Sequence, residues 1–169
     1  DILMVLDECV EFPCEKDRAK VAMERTVKWA KKSKLKFVSC KSQTTKVNKQ
    51  LLFGIVQGST YLDLRKECVE KLLEIDFDGY AVGGVSVGEP QELIYEVSAY
   101  TAELLPEDKP RYLMGVGHPE DMLEAISFGY DLFDCVVPTR NGRNGCAFTY
   151  QGKILLRNAQ YKDDFSPID

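Results

Sequence analysis

The sequence has a single histidine, His118, and its six cysteines (Cys9, Cys14, Cys40, Cys68, Cys135, Cys146) include no CxxC pair. None of them has zinc-like spacing, so no metal is expected in this chain. Cysteines scattered through apolar segments act as small core residues, and the expected setting is reducing and cytoplasmic. No apolar run approaches the roughly 20 residues that cross a bilayer, which removes a membrane partner from the expectations. An initiator Met, a basic leader and a signal-type apolar segment are also missing at Asp1, so the chain reads as a piece of something longer. Acidic residues are missing from two windows. Between Glu24 and Asp63 stand nine basic residues (Arg25, Lys28, Lys31, Lys32, Lys34, Lys36, Lys41, Lys46, Lys49), and between Asp134 and Asp163 stand five (Arg140, Arg143, Lys153, Arg157, Lys162). Despite a net charge of -5, 14 of the 22 basic residues therefore sit where a polyanion would find them unopposed. A solvated lysine face is the plain alternative for the first window.

What is present is a globular composition, 44% hydrophobic and 29% charged over 169 residues, enough for one domain with a core. Apolar runs at 2–6, 52–56, 80–82 and 112–116, and the run around Asp134, read as buried strands of a parallel sheet. Between them Ala19, Ala22, Met23, Val27 and Ala30 recur at helical spacing, as do Tyr61, Leu64, Cys68, Leu72 and Ile75, then Leu93, Val97 and Leu104. Thr60 and Asp63 are placed to cap the second helix, Pro90 to open the third, and Pro119 to open a fourth that stops at Gly129. Residues 34–50 show no period and are expected as loop, and 147–156 as a small hairpin around Gly152. His118 is expected at a helix start or on the surface, without a catalytic part. Five strands alternating with helices imply βα units. A full eight-unit barrel needs roughly 250 residues, so the expected fold is α/β, an incomplete (β/α)8 TIM-type barrel with about five units; an open doubly wound sheet is the alternative. Unpaired sheet edges lead to the expectation that this piece alone is poorly stable or self-associates.

Polar and glycine residues gather at the strands' C-terminal ends, where barrels and open sheets both place ligands. Asp7 offers two acceptor oxygens, Gln57 an amide, and Gly83 and Gly84 close approach of backbone to a flat ligand. A guanine-like base, with two donors beside a carbonyl, is complementary to that set, and Met114 can lie against its face. The stretch DLFDCVVPTRNGRNG at 131–145 puts Asp134 in an apolar run, where a buried carboxylate needs a partner or a purpose. A loop with Arg140 and Arg143, two forked donors suited to phosphate, is expected directly after it. Asp134 is thus the candidate nucleophile for a sugar's anomeric carbon, as in retaining glycoside chemistry, and a structural ion pair with either arginine is the alternative. A turn, a helix cap or ordinary core packing are the plain alternatives at the other positions.

The motifs LDEC (6–9), LFGIVQG (52–58), GYAVGGVSVGEP (79–90), KPRYLMGVG (109–117) and FDCVVPTRNGRNG (133–145) resemble, in order and in register, the bacterial queuine tRNA-ribosyltransferase (tRNA-guanine transglycosylase) family, weakening only around 33–50. The resemblance implies exchange of the wobble guanine of GUN-anticodon tRNAs for a 7-deazaguanine base through a covalent aspartyl-ribose intermediate. It assigns Asp134 as nucleophile, Asp7, Gln57, Gly84, Val85 and Met114 to the base, and Arg140 and Arg143 to the anticodon loop. Val87 follows the bacterial pattern, which implies 7-aminomethyl-7-deazaguanine as the inserted base. It further implies that residues 1–169 are the C-terminal part of the barrel, that a second catalytic aspartate lies upstream, and that a structural zinc region follows. No cofactor is implied within this chain. The whole protein is expected to be a homodimer, and this piece alone inactive. A non-catalytic tRNA-binding partner subunit, an inactive fragment of the family and a barrel enzyme for a phosphorylated small molecule are the competing readings.

Overall fold

The computed structural model of the chain describes residues 1–41 and 50–168; Lys46 and Lys49 of the first basic window lie outside them. Two compact units are formed, Asp1–Asp134 and Cys135–Asp169.

The first unit is five rounds of strand followed, for the first four, by helix: β1 Ile2–Met4, α1 Lys16–Lys41, β2 Leu51–Val56, α2 Leu62–Ile75, β3 Gly79–Val82, α3 Gln91–Leu104, β4 Arg111–Leu113, α4 Pro119–Ser127 and β5 Leu132–Phe133. All five strands are parallel and stand in sequence order, β1-β2-β3-β4-β5. A doubly wound sheet reverses its order at a switch point; an order without reversal is that of a barrel wall. The fold class is α/β, an incomplete TIM-type barrel.

Burial explains the order. β2 and β3 are central, and from Leu52 to Val56 and Gly79 to Val82 every residue is buried. β1 is an edge, so Ile2 and Leu3 are 45% and 41% exposed, and the strand is shorter than its apolar run suggests. The helices pack outside with the faces their spacing predicts: Ala19, Ala22, Met23 and Ala30 from α1, Leu64, Cys68 and Leu72 from α2, Val97 from α3. The aromatic Phe53 lies where a Cβ on Gly79 would stand, so β3 needs glycine there for the ring to reach the strand. At the strands' N-terminal ends one device is used twice. Asp78 accepts from the Leu52 N–H (2.8 Å) and Asp131 from the Arg111 N–H (2.9 Å), each the last residue before its own strand.

Several local expectations are corrected. α1 continues to Lys41 instead of ending near 33, because Phe37 still packs on the core although the lysines around it hide the period. Thr60 and Asp63 do not cap α2; its N-cap is Tyr61, without a side-chain cap bond, and Asp63 pairs with Lys16 at 2.7 Å. Pro90 is the N-cap of α3, not its first helical residue. β4 stops at Leu113, before Met114. Pro119 does open α4, with His118 as its N-cap.

The second unit has α5 Val137–Arg143, the antiparallel hairpin β6 Cys146–Thr149 with β7 Gly152–Leu155, and a 3-10 turn Ala159–Tyr161. The hairpin matches its alternating pattern. The expected arginine loop is instead a helix, which Pro138 enters in its first turn.

Among the described residues no helix is long and apolar enough to cross a membrane.

Candidate functional site

The loop after β1 is pinned from behind. The Glu8 carboxylate takes Arg18 and Arg25 of α1 at 2.7 and 2.6 Å, and the Glu8 N–H donates to the buried Thr26 hydroxyl. That holds Asp7, half-buried, beside the C-terminal end of β2. There the Gln57 amide donates to Asp7 Oδ2 at 2.6 Å, while Gln57 Oε1 is buried without any partner. Gln57 is only 1% exposed, and its backbone N–H rests on the Cys68 sulfur of α2. A buried acceptor left unpaired costs about 1–3 kcal/mol, and the group that would repay it is a donor from outside.

Gly83 and Gly84 close this cradle. A Cβ on Gly84 would lie 2.3 Å from Gln57 Oε1, and one on Gly83 2.7 Å from Gln57 Nε2 and 3.4 Å from Asp7 Oδ2. Beyond them the loop is shaped by Glu89, which sequence reading did not single out. Its carboxylate accepts from the Ser86 and Val87 N–H groups at 2.6 and 2.8 Å, holding Ser86 at a positive φ of 61°. Beneath the glycines lies Arg65 of α2, 0% exposed, donating to the Val56, Ser59, Gly83 and Gly84 carbonyls. Burial brings its guanidinium down to about 10. Cys9 stands beside Asp7 with its thiol pushed up by burial and by that carboxylate.

Asp134 follows β5 directly. It is exposed, not buried as its apolar neighbours suggest, because only Leu132 and Phe133 pair in the sheet. One oxygen is nonetheless fixed: Oδ1 accepts from the Tyr112 hydroxyl at 2.7 Å and from the Gly115 N–H at 3.1 Å. Burial and that carboxylate push the Tyr112 phenol up to about 12. Gly115 also adjoins the other half of the site, since its Cβ position is 3.9 Å from the Val85 carbonyl oxygen. Met114, half-buried, donates its N–H to the Val82 carbonyl. Asp7, Gln57, Gly84, Val85, Met114 and Asp134 therefore line one rim, at the C-terminal ends of β1 to β5. Arg140 and Arg143 belong to the second unit, exposed and three residues apart on α5, a spacing that puts them on one helix face. Among the described residues no group of three or more His, Cys, Asp or Glu is arranged to hold a metal ion.

A polar cradle thus lies next to a held carboxylate at the strands' C-terminal ends. The family model described as queuine tRNA-ribosyltransferase matches residues 1–169. The chain belongs to the queuine tRNA-ribosyltransferase family. Proteins of that name from Caldanaerobacter subterraneus subsp. tengcongensis, Thermoanaerobacter pseudethanolicus and Haemophilus ducreyi are 53%, 52% and 52% identical to it over the whole chain. In each case the chain spans 43% of the relative's length.

Within this family segment, Tyr112, Arg65 and Glu89 are residues that sequence reading missed. Tyr112 alternates with the buried Arg111 and Leu113 of β4, which points it to the opposite face of the strand. Arg65 interrupts the apolar face of α2 between Leu64 and Cys68, a position where a charge must find buried partners. Tyr112→Phe is expected to lower the rate of any chemistry at Asp134 about tenfold with little change in substrate KM, since a charge-assisted hydrogen bond of about 1.5–3 kcal/mol is lost. A changed KM with an unchanged rate, in steady-state assays of the full-length protein, would contradict the positioning of Asp134 by this phenol.

Proposed function

We propose that the full-length protein carrying this segment is a tRNA-guanine transglycosylase, exchanging the wobble guanine of GUN-anticodon tRNAs for 7-aminomethyl-7-deazaguanine. The observation that carries the reading is the adjacency of the two halves through Gly115: its N–H holds Asp134 while its Cα side abuts the Val85 carbonyl of the base cradle. The target guanosine is turned out of its stack into the cradle, as base-modifying enzymes require. Asp7 and the unpaired Gln57 Oε1 accept from the base's N–H edge, the Gly84 N–H meets its carbonyl, the Val85 carbonyl faces the base substituent, and Met114 lies against the ring. Asp134 attacks the ribose anomeric carbon, and guanine leaves. The ester formed is then displaced by the incoming base.

Arg140 and Arg143 contact the anticodon loop as forked donors to phosphate. The remaining length supplies the barrel's earlier strands, the second aspartate that handles protons, and a zinc-supported region after the barrel. This division is supported by relatives more than twice as long as the chain, which spans 43% of them. The complete protein is a cytoplasmic homodimer, and residues 1–169 alone are the C-terminal part of the barrel and inactive.

The test is incubation of the full-length protein with tRNA and a deazaguanine analogue, followed by denaturing electrophoresis. An RNA-protein band that requires a wobble guanine is expected; its absence with a competent tRNA favours a non-catalytic partner subunit. Val87, 38% exposed on the cradle's rim, limits the incoming base. Val87→Gly is expected to shift preference toward the bulkier queuine by about tenfold or more, within what one pocket contact is worth. Unchanged preference in competition assays would show that this side chain does not line the substituent's pocket.

A further inference from the structure

Among the described residues Arg65 is the largest fully buried side chain, and it has no carboxylate partner in ion-pair range. Its three nitrogens are spent on backbone carbonyls: Nε on Ser59 (2.8 Å), Nη1 on Val56 (3.1 Å) and Gly83 (2.6 Å), Nη2 on Gly84 (3.0 Å). A buried cation held only by neutral oxygens is costly as a mere brace, and replacing such a charge with apolar packing is often stabilising.

Two of those carbonyls decide what the charge reaches. The Gly83 carbonyl belongs to the same peptide group as the Gly84 N–H, and the Gly84 carbonyl to that of the Val85 N–H. A cation on the oxygen of a peptide polarises its N–H at the other end, and hydrogen bonds chained in this way strengthen one another. The Gly84 N–H faces the Cys9 sulfur, a weak acceptor, and so remains available to a better one. Gly84 has a φ of +67°, and its Cα lies against Gln57 in the wall of the cradle.

We propose that Arg65 is a positioning residue that transmits its charge through the Gly83–Gly84 peptide to the carbonyl oxygen of a bound guanine, and so favours the base as an anion. The inference rests on the base-exchange reading of the site. In the first step an Asp134 oxygen bonds to the anomeric carbon as the carbon–nitrogen bond to guanine breaks. The electron pair passes to the purine nitrogen and spreads onto the base's carbonyl oxygen. The carboxylate's negative charge thereby ends on the departing base, which later takes a proton from the second aspartate of the full-length protein. Preorganised amide dipoles aimed at developing charge are the usual large contributors to such a step.

The experiment uses the full-length protein and three readouts: single-turnover formation of the RNA-protein adduct, and competitive inhibition by guanine and by 2-aminopurine, which lacks the carbonyl at position 6. Arg65→Lys, which keeps the charge but not the forked bonds, is expected to lose less in adduct formation than a neutral replacement. Arg65→Gln, neutral, is expected to lose tenfold or more in adduct formation and in guanine inhibition, while 2-aminopurine inhibition changes less than twofold. Equal losses for both bases, or no loss for guanine, would make Arg65 structural and overturn the proposal. Should Arg65→Gln not fold, Arg65→Lys decides, with guanine inhibition weakened two- to threefold against unchanged 2-aminopurine as support and equal changes as refutation. A wild-type protein that guanine does not inhibit sinks the base-site reading itself, a result distinct from any difference between the variants.

Discussion

Asp134→Asn in the full-length protein is expected to abolish the covalent RNA-protein adduct and to lower guanine exchange by about a thousandfold or more, the usual scale for removal of a nucleophile. The substitution is conservative in every respect but one. The Asn side chain keeps a carbonyl oxygen to accept from the Tyr112 hydroxyl and the Gly115 N–H, the two bonds that now hold Asp134 Oδ1. Asp134 is also exposed, so losing its charge leaves no buried partner unpaired. Folding and base binding should therefore survive, and only the attacking oxygen's charge is lost. Exchange within tenfold of wild type, measured with radiolabelled guanine and a tRNA containing a wobble guanine, would remove Asp134 from the nucleophile's role.

The fold was legible wherever burial set the pattern. β2 and β3, buried on both faces, read as continuous apolar runs, and α2 showed Leu64, Cys68 and Leu72 at helical spacing because one face meets the sheet. Legibility failed where sequence chemistry and packing diverged. The last turns of α1 carry Lys34 and Lys36 around Phe37, and a single half-buried aromatic does not make a visible period. α5 contains Pro138, Asn141 and Gly142, a turn-like composition, yet proline is tolerated in a first helical turn, so the helix forms. Asp134 read as buried because Cys135, Val136 and Val137 are apolar, but β5 pairs through only two residues, and Val136 is itself exposed.

The candidate site divides in the same way. Asp7, Gln57 and the glycines were legible because polar groups at strand ends, and glycines in pairs, are locally unusual. Arg65, Tyr112 and Glu89 were not, because what matters in each is a three-dimensional partner. Arg65 reaches carbonyls on two different strand-end loops, and Glu89 folds back on its own turn through two backbone N–H groups. A one-dimensional pattern of residue types contains neither relation.

Gly84→Ala is the change expected to damage base recognition most while sparing tRNA binding. Two costs add at this position. Its φ of +67° is left-handed backbone, where an L side chain costs roughly 1–2 kcal/mol. The new methyl would also stand 2.3 Å from Gln57 Oε1, so one of the two must move. Gln57 has little room to yield: it is buried, tied to Asp7 at 2.6 Å through Nε2 and seated on Cys68 through its backbone. Displacing it breaks the pair that defines the cradle and turns the Gly84 N–H away from the ligand. Together these changes are expected to raise the KM for the free base about a hundredfold, roughly 2.7 kcal/mol, with the KM for tRNA changed less than threefold. Gly83→Ala separates the two costs, because its φ is not positive and its methyl meets Gln57 Nε2 at 2.7 Å, so it should show the steric part alone and a smaller loss. A base KM that stays at the wild-type value in Gly84→Ala would mean that the ligand does not enter the space between Gly84 and Gln57, and the cradle would have to be assigned to something other than a nucleobase.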